Sequence, residues 1–264
     1  MIENLDLANF IVSFGSMNDY SSTVLQTKRA LDLNDLSKLV HQHHDGAILK
    51  DALDGIAAAK KFGFTRQGII EINKAFTHSE EEDPSIPGRL RHASYNPDDA
   101  IVIITDPKGT AKGTAKGAYF APENVYPEDL DEIIEQYNSS KQTTKDAWRV
   151  FASLSKLQPF QDGNKRTALI AANSARDTWE TRDYLTLPFD NIDHAEFMIS
   201  LMRFYRADTR EQEDKALDRM IETLPSKNEV AYHLSNEISQ KDIDINDLKT
   251  KRIKSFYQNQ ELDR

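Results

Sequence analysis

The chain of 264 residues contains no cysteine. That excludes disulfides and thiolate metal sites, and it makes a cytoplasmic location the expectation. No apolar run approaches the roughly 18–20 residues that a membrane span needs. A basic opening is also missing: MIENLDLANFIVSFG begins with Glu3 and Asp6 among its polar residues, which does not read as a signal peptide. Nor is there a cationic excess. The 33 Lys and Arg are outnumbered by 43 Asp and Glu, giving a net charge of −10, and this argues against broad nucleic-acid affinity, which rests on excess Lys and Arg. Strand patterns are scarce, and no repeat of the length that builds solenoids is present. What is there, 39% apolar and 29% charged residues, is the composition of a globular protein with one large domain or a domain with appendages.

Helix patterns dominate. Residues 22–40 place Leu25, Ala30, Leu33, Leu36 and Leu39 at mostly three- and four-residue spacing, predicting one amphipathic helix or two short ones. LKDALDGIAAAKK (49–61) predicts another, and Thr65 is the expected N-cap of a third that carries Ile69, Ile72 and Phe76 on one face. EEEDPSIPG (80–88) breaks the run with acids, Pro and Gly. AIVIIT (100–105) is the clearest strand, with AYFA (118–121) as its expected partner, and DPKGTAKGTAKG between them reads as a solvated hairpin tip. EDLDEIIEQYN follows as a helix with acids in its first turn. Thr144 is the expected cap of KDAWRVFASLSKL. TALIAANSA (167–175), small or apolar nearly all round, predicts a helix at the centre of a bundle. Residues 192–205 predict a strongly apolar helix. The charged stretches REQEDKALDRMIETL, NEVAYHLSNEIS and DINDLKTKRIKSFYQ predict one to three helices after a boundary near 207.

One loop carries chemistry. In QPFQDGNKR (158–166), Pro159 forces the residue before it out of helical conformation, and Asp162-Gly163-Asn164 is turn chemistry. A long helix starts at about Asn164–Thr167. Its first N–H groups have no intrahelical acceptor and lie at the positive end of the helix dipole, a geometry that binds anions. Lys165 and Arg166 add positive charge where the dipole disfavours it, and a bound polyphosphate supplies a reason: Arg grips phosphate bidentately and Lys acts as a point charge. Asp162 is placed to share Mg²⁺ with that phosphate. Phe160 is read as an anchor into the core. The competing reading is an ordinary interhelical turn with exposed charges.

QPFQDGNKRTALIAAN resembles the signature of the Fic/Doc family, H-P-F-x-[D/E]-G-N-[G/K]-R, at eight of nine positions, Pro159 to Arg166. Pro87-Gly88-Arg89-Leu90-Arg91, followed by AIVIIT and AYFAP, resembles the segment that forms the family's target-docking hairpin, or flap. The resemblance spans roughly residues 50–205. It implies a mainly α fold, a Fic-type helical bundle with one β-hairpin and additional terminal helices. The parts would be an N-terminal helical extension (1–50), a Fic-type domain (51–206) and a charged helical extension (207–264). It further implies Mg²⁺ as cofactor with ATP as substrate, and transfer of AMP to a Ser, Thr or Tyr hydroxyl of a protein target. Doc-type toxins instead transfer the γ-phosphate. By position, the resemblance gives Asp162 the metal, Gly163 and Asn164 the anion hole, and Lys165 and Arg166 the nucleotide phosphates. Lys165 is the Doc choice, whereas Gly163 is the Fic choice where Doc has Ala.

The motif's first residue, the general base, is His in active members and Gln158 here. A carboxamide hydrogen-bonds a hydroxyl but does not accept its proton near neutral pH. Three explanations stand: a deliberate substitution that silences a toxic enzyme, a natural nucleotide-binding pseudoenzyme, or a base supplied elsewhere. For the last, His43, His44, His78 and His92 are candidates by residue type alone. Many members also carry an inhibitory segment [S/T]-x-x-x-E-[G/N] whose Glu pairs with a motif Arg. HQHHDG (41–46) stands where an N-terminal copy would fall, but with His41 and Asp45 in place of the two defining residues it reads as a decoy. A separate antitoxin chain is an alternative partner; no nucleic acid and no membrane are expected.

Overall fold

A computed structural model describes residues 4–78, 86–105 and 117–239. The chain divides into two compact units, Met1–Ser226 and Lys227–Arg264. The first opens with α1 (Leu5–Gly15) and α2 (Val24–Leu33). Thr23 and Gln26 form a capping box that starts α2, and a 3-10 turn over Leu36–Lys38 follows, so the 22–40 pattern resolves into the two short elements. Then come α3 (His44–Phe62) and α4 (Arg66–Lys74). Thr65 caps α4 as expected, its side chain accepting from Gly68 N–H.

Strands β1 (Val102–Ile104) and β2 (Ala118–Phe120) pair antiparallel, with Ile103 opposite Tyr119. Ile103 and Tyr119 are half-buried, while Val102, Ile104 and Phe120 are exposed on the other face. Residues 106–116 of the expected hairpin tip, residues 80–85 of the acidic break, and 244–258 of the charged tail lie outside the described residues. Next follow α5 (Pro127–Asn138), α6 (Thr144–Leu157), α7 (Asn164–Ala175), the one-turn α8 (Thr178–Thr181), α9 (Asn191–Tyr205) and α10 (Arg210–Glu222). The cap of α6 is Thr143, not Thr144: its side chain accepts from Asp146 N–H and the Asp146 carboxylate returns to Thr143 N–H. The reciprocal pair needs the acid three residues after the cap, and that spacing selects Thr143. In the second unit, α11 spans Lys227–Ser239.

Helix α7 is the axis. Ala168 to Ala172 are fully buried, and α1, α3, α4, α6 and α8 all pack on it, as an all-round apolar helix requires. Helix α10 packs on α9 and α6 through buried Ala216, Leu217 and Met220. Its charged face meets α6 in the pairs Lys145–Asp218, Arg149–Asp214 and Lys156–Glu213. Among the described residues, no helix is long and apolar enough to cross a membrane.

Candidate active site

Helix α6 ends on Gln158, which takes a left-handed conformation at φ 50° and donates its backbone N–H to Leu154 O at 3.1 Å. This position after a helix normally favours Gly. A non-Gly residue there costs on the order of 1–2 kcal/mol, and such outliers concentrate at functional sites. The side chain is nearly buried, and its Nε2 donates to Ser155 O at 2.6 Å. Pro159 then turns the chain, and Phe160 is sunk in the core, the anchoring role read from the sequence.

The Asn164 side chain closes the loop on itself. Its Oδ1 accepts from Phe160 N–H at 2.8 Å and its Nδ2 donates to Phe160 O at 2.7 Å. Its carboxamide is thus spent on the loop, and its backbone N–H lies at the positive end of α7. Gly163 sits at φ 74°. A Cβ there would lie 2.8 Å from the Phe76 ring and 3.0 Å from Asn73 Nδ2, so the turn requires glycine on both counts. Thr167 N–H donates to Gly163 O at 2.8 Å. Those of Asn164, Lys165 and Arg166 precede it at the positive end of the helix.

Residues far away in the chain hold this loop in place. Asn73 donates to Asp162 O at 2.9 Å and to Thr167 Oγ1 at 3.1 Å, and accepts from Gly88 N–H at 2.7 Å. Fully buried Arg91 donates to the carbonyls of Gln158 (2.5 Å), Asp99 (2.5 Å) and Pro122 (2.9 Å), and its own N–H reaches Pro159 O. Asp99 accepts from Gln161 Nε2 and from Arg89, both at 2.7 Å. Burial pushes the Asp99 carboxyl up, but the His92 N–H, Arg89 and Gln161 outweigh it and hold it below the usual carboxylate range. The segment before the hairpin and the motif loop are therefore one hydrogen-bonded body.

Arg166 is 2% exposed. Its guanidinium lies 3.0 Å from Asp162 Oδ2, 3.8 Å from Asp51 Oδ2 and 5.2 Å from the Phe76 ring centre. Asp51, on α3, is fully buried and also accepts from the N–H groups of Thr77 and His78 and from His78 Nδ1 at 2.9 Å. The decoy Asp45 is engaged elsewhere, on Ser22 Oγ at 2.5 Å.

A cleft of about 240 Å³ opens over the loop. It is lined by Gln158 and Gln161 to Arg166 of the loop, and by Met17, Asn18, Ile103, Met202 and Tyr205 from elsewhere in the chain. The structure thus brings all the sequence-selected motif residues to one cavity. None of His43, His44, His78 and His92 lines it. His92 instead packs between Tyr95 and Tyr126. Among the described residues no cluster of three or more His, Cys, Asp or Glu could hold a metal ion. Asp162 alone lines the cleft as a carboxylate, a donor set that fits a Mg²⁺ completed by phosphate oxygens and water, and does not fit a structural metal.

Residues 63–175 match the family model described as Fic/DOC family. Those residues form a Fic/DOC-family domain. Solved structures agree in fold: a Fic domain containing signaling protein from Bacteroides thetaiotaomicron VPI-5482 is 14% identical, with 88% of this chain and 82% of that one covered at a TM-score of 0.54. A Fic family protein from Desulfovibrio desulfuricans G20 is 13% identical over 91% and 68%, at 0.58. Fic-1 from C. elegans is 14% identical over 89% and 66%, at 0.51. No curated protein matches significantly in sequence. The Fic segment holds the motif residues of the lining and Ile103, while Met17, Asn18, Asp51, Met202 and Tyr205 come from outside it. Those five were not picked out in the sequence as site residues. Only Asp51 carried a local signal there, an acid beside the apolar stripe Leu49, Ala52 and Ile56.

Proposed function

We propose that this Fic domain is a protein adenylyltransferase: it binds Mg-ATP in the cleft over α7 and passes AMP to a Ser, Thr or Tyr hydroxyl of a protein, with Gln158 slowing the transfer. The observation that carries the reading is the convergence of Asp162, the Gly163–Arg166 helix start and Gln158 on one cavity beneath the hairpin residue Ile103. In this reading the backbone N–H groups at the α7 start and Arg166 hold phosphate oxygens. Asp162 would hold Mg²⁺, which when bound neutralises phosphate charge. Gln158 orients the attacking hydroxyl without taking its proton. The exposed apolar face of β1 and β2 offers the target a surface.

Gly163 favours adenylyl over γ-phosphoryl transfer, because the Doc-type Ala would be forced into a left-handed conformation and into contact with Phe76 and Asn73. Lys165 is the observation favouring the second reading, a Doc-like kinase whose natural inhibitor would be an antitoxin chain. Incubating Gln158→His and the unaltered chain with a protein extract and Mg-ATP labelled at the α- or the γ-phosphate separates the two. Label from the α-position alone is expected. Label from γ alone would establish the kinase, and no transfer despite bound ATP would leave a nucleotide-binding module.

A further inference from the structure

Near Gln158 lie two buried hydroxyls that the proposed chemistry does not use. Ser155 is in the last turn of α6 and fully buried; Tyr205 ends α9, is 2% exposed, and lines the cleft one turn beyond Met202. Neither Ser155 Oγ nor Tyr205 OH has a partner in full hydrogen-bond geometry, although Tyr205 OH lies close enough to Ser155 and Gln158 to interact with both. An unsatisfied buried hydroxyl is destabilising, and a Phe would fill the Tyr205 site as well, since its ring packs at 5.4 Å on the Tyr119 ring. Tyr119 shows the contrast: its hydroxyl donates to Lys156 O at 2.8 Å. Burial drives the Tyr205 hydroxyl above its ordinary range, while Ser155 and Gln158 are near enough to draw it partly back. Tyr205 therefore stays a neutral phenol that donates and accepts, unsuited to serve as a base.

We propose that Tyr205 is a positioning residue, its hydroxyl acting with that of Ser155 to hold the side chain at position 158 with its nitrogen turned inward, leaving that side chain's other polar atom to face the substrate hydroxyl. The inward nitrogen is already fixed on Ser155 O at 2.6 Å. Tyr205 lines the same cleft as Gln158, and Ser155 stands three residues before it on α6; the two hydroxyls supply polar surroundings that a second N–H, or a charged imidazole, requires. The placement stands on geometry; only the identity of the substrate hydroxyl rests on the adenylyl-transfer reading.

The test uses the full chain carrying Gln158→His, labelled with ¹⁵N-histidine, and titrates the new imidazole by NMR. Adding Tyr205→Phe is expected to lower its pKa by about half a unit or more, because the imidazolium loses a buried polar neighbour. Ser155→Ala is expected to act in the same direction, and it serves in place of Tyr205→Phe should that variant fail to fold. Tyr119→Phe, which removes a hydroxyl bonded to Lys156 O, leaves the pKa where it was. The charged groups nearby, Arg91 on the Gln158 carbonyl and the Lys156–Glu213 pair, are common to all the variants. An imidazole that titrates identically with and without the Tyr205 and Ser155 hydroxyls overturns the proposal. A responsive imidazole without AMP transfer would sink the adenylyl reading and keep the positioning role. Transfer with an unresponsive imidazole would do the reverse.

Discussion

Gln158→His is expected to raise the rate of AMP transfer by about 10²–10⁴, the usual contribution of a positioned general base. That corresponds to about 3–5 kcal/mol of barrier. The site is prepared for the exchange. Gln158 Nε2 donates to Ser155 O, and an imidazole Nδ1–H can make the same bond, which leaves Nε2 to the cleft. The left-handed backbone at φ 50° also suits the change, because His is among the residues that adopt it more readily than most. The proposed phosphate contacts do not involve the changed side chain, so nucleotide affinity and thermal midpoint should stay close to those of the unaltered chain. Single-turnover transfer with enzyme in excess measures the effect. Equal rates for the two chains would show that the proton leaves by another route.

Arg166→Ala is expected to remove about 3–5 kcal/mol of stability, the range for deleting one partner of a buried ion pair. Arg166 is 2% exposed between Asp162 and Asp51, and Asp51 has no exposure at all. Truncation leaves these carboxylates without that cation and opens a void above the Phe76 ring. In a unit of this size the thermal midpoint should fall by roughly 6–20 °C. Arg166→Lys, which keeps the charge and loses the fork, should fall by less than half as much. Chemical denaturation followed by far-ultraviolet dichroism reads both. A midpoint within a degree or two of the unaltered chain would mean that Asp51 is not balanced by Arg166.

The motif loop was readable because its determinants are local. Pro159, Gly163 and the new helix at Asn164 lie within a few residues and follow from turn and cap chemistry. The all-round apolar character of 167–175 likewise located the central helix. Thr143 and Thr144 were separated only by where the returning acid, Asp146, falls. The anion hole was placed on Gly163 and Asn164 by motif position; that the Asn164 side chain closes on Phe160 is a ring of contacts that a motif does not display. The clamps were illegible for a different reason: Asn73 and Asp162 are 89 residues apart, Arg91 and Gln158 are 67, and Asp99 and Gln161 are 62. Spacing rules carry no information over such separations. Tyr205 looked like one more apolar residue of the 192–205 helix, and only packing brings it to the cleft beside position 158.

The central claim is that Asp162 and the Gly163–Arg166 helix start cradle the phosphates of Mg-ATP. Titration calorimetry of the unaltered chain against Asp162→Asn, with and without Mg²⁺, tests it most directly. The account predicts that the unaltered chain binds Mg-ATP more tightly than metal-free ATP, and that Asp162→Asn abolishes this difference while the fold is retained. An affinity for Mg-ATP that is the same in both chains would place the nucleotide elsewhere and contradict it.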